Sequence, residues 1–138
     1  MPVSNEWQVQ GRIVLMRFRE ELTGAEVIAA NEELQNWIGG EGIAPVHVIA
    51  DLSDVTRLPA NIRELMGKMR VDHPEKSGWT VVISSSPMAR FIATVTAQVL
   101  HQKVRAASSQ AEAWRYLWRI DPTLPPAHDP APPVTPGV

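Results

Sequence analysis

The chain reads as an α/β protein: an opening β-hairpin, then repeated β-α units around a mostly parallel sheet of four or five strands. Three observations predict this class. Short apolar runs of strand length, at residues 12–18, 46–50 and 79–83, alternate with longer segments whose apolar residues recur at helical spacing. Two helix starts carry capping boxes, Thr23-Gly24-Ala25-Glu26 and Ser109-Gln110-Ala111-Glu112, where a hydroxyl and a carboxylate three residues on satisfy free backbone donors. The resulting order, β-β-α-β-α-β-α-β-α, places a helix between successive later strands, which implies parallel pairing through right-handed crossovers.

Each element has a local reason. Residues 7–10 and 12–18 flank Gly11, which supplies the positive φ that a tight hairpin turn demands. Thr23 then opens a helix whose stripe is Val27, Ala30, Leu34, Trp37 and Ile38, and Gly39-Gly40 and Gly42 end it. Val46 to Ala50 is the next strand, apolar enough to be covered on at least one face. A polar loop follows, then a second helix with Ile62, Leu65, Met66 and Met69 on its inner side. Gly67 weakens that helix by roughly 1 kcal/mol relative to alanine. His73-Pro74 stops it, because a residue before proline is pushed out of helical space. Residues 79–83 form a third buried strand. Pro87, a good first helical residue, starts a helix with Met88, Phe91, Ile92, Val95 and Val99 on its buried face. Residues 104–107 form a short edge strand, and Ser109 opens a last helix that buries Ala113, Trp114, Leu117 and Trp118.

The folded unit is expected over residues 1–121. From Pro122 onward the chain holds seven of its 12 prolines. Proline removes backbone donors and fixes φ, so residues 122–138 are read as an extended or disordered tail. At 138 residues the chain makes one domain with a real core. A net charge of −2 and the lack of a basic block argue against nucleic acid as a partner. With no cysteine there is no disulfide framework, thiolate metal site or cysteine nucleophile. Met1 to Glu6 lacks the charged start and apolar run of a signal peptide, and no apolar segment approaches the ~20 residues of a membrane span. A cytoplasmic location is expected.

Several segments together resemble STAS domains, the anti-sigma-factor-antagonist or SpoIIAA-like fold. They are the Gly11–Phe18 strand, the Asp51-Leu52-Ser53 strand end, the Leu58–Arg63 helix start and the Ser109 helix. The resemblance implies helices gathered mainly on one face of the sheet, with the other face less covered and available to a partner. In partner-switching members an aspartate-serine-serine-glycine run opens the helix after the second parallel strand. Here that run falls on Pro59-Ala60-Asn61-Ile62, and none of the four positions agrees. Asn61 offers no hydroxyl, so phosphorylation control at the usual place is not expected. Asn61 is read as a side-chain cap of its helix.

One candidate ligand site follows from the residues themselves. Ser84-Ser85-Ser86-Pro87 lies where a strand's carboxyl end meets a helix's amino end, and free N–H groups there favour an anion. Asp51, Ser53 and Arg57 leave a neighbouring strand at the same edge, and Arg57 is suited to a carboxylate or phosphate. The bland alternative is helix capping by Ser86 within a polar loop. No G-x-S-x-G elbow accompanies the serines, and neither His101 nor Asp51 is tied to them by spacing. His47, His73, His101 and His128 lack metal-ligand spacing, and His47 inside a strand reads as a hydrogen-bonded structural residue. No catalytic residue, metal or cofactor is assigned. Trp114 and Trp118 share one helical stripe and read as core; Trp7 on the hairpin, with Asn61, is the candidate partner surface.

Two functions compete. The first is a non-catalytic regulatory or protein-interaction module, with a protein partner or self-association. The second is a small-molecule or lipid-binding domain. It would use the strand-end edge near Asp51, Arg57 and Ser84–Ser86, or a pocket between sheet and helices, where Met66, Met69 and Met88 supply adaptable apolar surface. A cavity with converging polar groups favours the second; a filled core with a bare apolar sheet face favours the first.

Overall fold

The chain first turns at Gly11, whose φ of 76° lies in the left-handed region. A Cβ there would also stand 3.0 Å from the Glu41 carbonyl oxygen. The turn brings β1 (Val3–Val9) antiparallel to β2 (Ile13–Glu21), from Val3 opposite Phe18 to Val9 opposite Ile13. Each later strand then adds parallel to its predecessor: β3 (Val46–Arg57), β4 (Ser77–Ile83) and β5 (Lys103–Ala107). Spatial order therefore equals chain order, β1-β2-β3-β4-β5. The helices are α1 (Gly24–Gly40), α2 (Ile62–Gly67), α3 (Pro87–Leu100) and α4 (Gln110–Ile120). This computed structural model describes residues 3–84, 87–100 and 102–125. Ser85, Ser86, His101, His128 and the Met88 side chain lie outside the described residues. Among the described residues no helix is long and apolar enough to cross a membrane.

Strand alternation sorts the core into two layers. Val14, Met16 and Phe18 of β2, Val46, Val48 and Leu52 of β3 and Val82 of β4 meet α1, α2 and α3 on one face. Ile13 and Leu15, Ile49, Val81 and Ile83 point the other way, onto Ala113, Tyr116 and Leu117 of α4. Three helices thus share one face, as the resemblance implied. The second face is not bare, because α4 and the buried Leu124 close over it.

Five local details differ from the sequence reading. β3 runs on through the expected loop to Arg57, because the polar half of β2 continues to pair with it: Arg17 lies opposite Asp51, Arg19 opposite Asp54 and Glu21 opposite Arg57. Register shifts after Arg17 and Glu20 absorb the irregular pattern. α2 ends at Gly67, short of Met69. Asn61 holds the N-cap position of α2 but its side chain makes no capping hydrogen bond. The Thr23 box is complete, with Thr23 Oγ1 accepting from Glu26 N–H and Glu26 accepting from Thr23 N–H. The Ser109 box is split: Ser109 accepts from Glu112 N–H, whereas the Glu112 carboxylate takes its bonds from Ser108. Those Ser108 bonds hold the Glu112 carboxyl below its usual range. The chain also packs on past Asp121 to Pro125, four residues into the expected tail, with Leu124 6% exposed.

Candidate functional site

The strand-end residues are placed individually. Asp51 sits inside β3 on the α4 side of the sheet, where its carboxylate accepts from Ser53 N–H at 2.9 Å and from the Gln110 amide at 2.8 Å. Arg57, at the end of β3, is paired with Glu21 at 3.3 Å, both side chains well exposed. Ser53 is exposed, and Ser84 is buried with its N–H donating to Ala107 at 3.2 Å. The extension of β3 thus separates two groups that the sequence put side by side: Asp51 engages the start of α4, and Arg57 engages the end of β2. Trp7 is half-buried and stacked on Trp37 of α1, with ring centroids 5.8 Å apart. Asn61 is exposed at the start of α2.

The most strongly perturbed titratable groups lie elsewhere. Arg12, just after the hairpin turn, donates to the Pro45 and Thr123 carbonyls, to Thr123 Oγ1 at 2.7 Å and to Asp121 Oδ2 at 2.9 Å. Asp121 also accepts from Thr123 N–H and Oγ1–H through Oδ1, and meets His47 Nε2 at 2.7 Å through Oδ2. His47 Nδ1 accepts from Trp79 N–H at 3.0 Å, so the neutral ring carries its proton on Nε2 and donates it to Asp121. Burial lowers the His47 pKa below 6.5, against the raising effect of Asp121. Burial raises Asp121, but the hydrogen bonds from Thr123 and His47 outweigh it and hold the carboxyl at about 2. A catalytic histidine needs a ring nitrogen open to substrate, and His47 has none: both are bonded and the residue is 2% exposed. The sequence marked His47 as structural; its partner Asp121, and the Arg12 and Thr123 that hold Asp121, were invisible there. The only local signal is that a polar side chain in an apolar strand must find one.

A cavity of about 130 Å³ lies between the sheet and α1, α2 and α3. Met16, Phe18, Val48 and Ala50 form its floor, Val27 and Leu34 one wall, and Ile62, Met66, Met69 and Ile92 the roof. Its polar groups are Asn31, Thr80 and Thr96. The Asn31 amide nitrogen donates to the Arg70 carbonyl at 3.0 Å, and Thr96 Oγ1 lies 3.7 Å from Met66 Sδ. A second space of about 70 Å³ shares Asn31, Leu34, Val48, Thr80 and Thr96 and reaches toward Gln35, Val71 and Gln102. For scale, an engineered apolar cavity of about 150 Å³ binds benzene. The sequence placed Met66 and Met69 on inner faces but did not single out Asn31, Thr80 or Thr96. A signal was present: Asn31 interrupts the stripe Val27, Leu34, Ile38, and Thr96 interrupts Ile92, Val99. Among the described residues no three or more His, Asp and Glu side chains converge as a metal site.

No family model and no curated protein matches this chain. Solved structures do. A DUF3478-family protein with a SpoIIAA-like fold from Shewanella loihica PV-4 superposes with a TM-score of 0.61 at 11% identity, over 83% of this chain and 91% of that one. The anti-sigma factor antagonist SpoIIAA in its unphosphorylated form gives 0.57 at 16% identity, over 84% and 96%. An anti-sigma factor antagonist from Mycobacterium paratuberculosis gives 0.52 at 14% identity, over 84% and 92%. The chain therefore has the SpoIIAA-like, or STAS, fold, and these identities speak to fold alone.

Proposed function

We propose that this protein is a non-catalytic regulatory module that takes a small apolar ligand into the cavity between its sheet and α1, α2 and α3. The cavity carries the reading. Its walls are almost wholly apolar, so burying a hydrocarbon body there is favourable by ~0.8 kcal/mol per CH₂. Asn31, Thr80 and Thr96 are the groups able to orient one hydroxyl or carbonyl. Three methionines, Met16, Met66 and Met69, let the walls adapt in shape. A non-catalytic role is supported by the perturbed groups themselves: His47 and Asp121 are consumed in a buried network, and Glu112 in a helix cap.

A second reading, a protein-interaction module without a ligand, is favoured by the likeness to two anti-sigma factor antagonists. On that reading the partner meets Trp7 and Asn61. The strand-end site at Asp51, Ser53, Arg57 and Ser84–Ser86 stays a third possibility for an anionic ligand.

One titration separates them. The full chain is titrated with linear alcohols of increasing length, and melting temperature is recorded. The proposal expects stabilisation that grows with chain length and then stops when the cavity is full. Ala50→Leu, which projects carbons into the floor, abolishes the response; Arg57→Ala leaves it unchanged. An unresponsive parent chain, or equal stabilisation of Ala50→Leu, defeats the cavity reading. A stoichiometric protein partner on ligand-free material favours the second reading. An anion whose affinity falls in Arg57→Ala moves the site to the strand end.

A further inference from the structure

The second space beside the cavity holds an unanswered hydrogen-bond donor. Gln35, on α1, is 5% exposed and lines that space. Its Oε1 accepts from Asp72 N–H at 2.9 Å, which fixes the orientation of the amide. The NH₂ end, with two protons to donate, makes no hydrogen bond among the described residues. A buried amide left half-satisfied costs free energy, and folded proteins keep few of them. The two spaces share Asn31, Leu34, Val48, Thr80 and Thr96, so a single molecule can occupy both. They differ in character. The first is walled mainly by apolar side chains, whereas the second adds Gln35, Ser77 and Gln102. Among the described residues no Lys, Arg, His, Asp or Glu lines either one.

We propose that the cavity ligand is an uncharged medium-chain amphiphile whose head carries a carbonyl acceptor, an ester or an amide, held by the Gln35 NH₂ group. The assignment rests on the cavity as the ligand site. The apolar space takes the tail and the second space takes the head. Charge decides the class. An ionised carboxylate, phosphate or ammonium buried here loses its water and meets no counter-charge, a cost that one hydrogen bond does not offset. A neutral carbonyl gives up far less water, gains the Gln35 bond and can accept a second from the Thr80 hydroxyl. Length follows from α1. Val27 lines the first space and Gln35 the second, eight residues on, which is ~12 Å at 1.5 Å per residue. An extended chain advances ~1.2 Å per bond, so ~10 bonds cover that span, or about eight carbons with a head group.

Methyl octanoate and octanoate, matched in chain length and differing in charge, are titrated against the full chain at pH 7 by calorimetry. The ester is expected to bind, and octanoate to bind at least ~100-fold more weakly. Gln35→Met keeps the length of the side chain and removes its donors, and is expected to weaken the ester by ~10-fold. The comparison of ester with carboxylate needs no variant, so it decides the matter even where Gln35→Met does not fold. Octanoate binding as tightly as the ester overturns the uncharged class and leaves the cavity itself standing as a ligand site. An ester affinity unmoved in folded Gln35→Met overturns the placement of the head. Stabilisation by the linear alcohols without binding of the ester overturns the carbonyl head. Where neither the ester nor the alcohols bind, the cavity reading falls and the proposal with it.

Discussion

Asp121→Asn removes one charge from the centre of the buried network and nothing from its shape. In the parent chain Asp121 is 6% exposed and receives bonds from Arg12, His47 and Thr123. Its carboxyl is held at about 2 in place of 3.8. That difference corresponds to about 2 kcal/mol of stability from ionisation alone. A depressed carboxyl contributes fully above 3.8, and the contribution is lost as pH falls through about 2. At pH 7 the variant loses more than this, about 3–5 kcal/mol, because the Arg12 guanidinium is left buried without its counter-charge. A domain of this size holds roughly 5–15 kcal/mol, so the variant still folds. Urea unfolding followed by tryptophan fluorescence, repeated from pH 8 to pH 2, reads both effects. The parent chain weakens between pH 4 and pH 2, and the variant lacks that component. Between pH 6.5 and pH 4 the variant is the more pH-sensitive of the two chains. His47, pushed down by burial, stabilises above 6.5 and loses that contribution as pH falls toward its folded value. Without Asp121 to raise it, His47 drops further and the variant declines more steeply there. A loss under ~1 kcal/mol at pH 7 with an unchanged acid limb would refute the network's role.

Two further substitutions probe the frame around the sites. Gly78→Ala puts a Cβ 2.5 Å from His47 Nδ1, a ring pinned on both nitrogens, so about 1–3 kcal/mol is expected to be lost. The Trp79 amide resonance should move with it, and an unchanged midpoint and amide shift would contradict the geometry. Thr23→Ala deletes the Glu26 N–H acceptor at the start of α1 and should cost about 1 kcal/mol in urea midpoint at constant slope.

Much of the fold was legible because it is written in neighbouring residues. Gly11 marks the hairpin, Thr23 and Glu26 mark the start of α1, and alternating strand and helix patterns leave parallel pairing as the available arrangement. The inward methionines Met66 and Met69 were legible for the same reason. What failed was where a local choice waited on a distant partner. β3 extends to Arg57 because β2 lies beside it. Within the candidate strand-end site, Asp51 and Arg57 have separate partners, the Gln110 amide and Glu21.

By itself, then, the sequence determined the β-α alternation, the mostly parallel sheet and the starts of α1, α3 and α4, since periodicity and capping act over a few residues. Tertiary structure alone decided that α4 covers the second face, that Asp121 joins His47 and Arg12 across 74 and 109 positions of chain, and that α1, α2 and α3 stand off the sheet far enough to leave a partly open cavity. Those outcomes depend on how rigid elements meet in space, and a side chain's period along the chain carries no record of the gap left when they do.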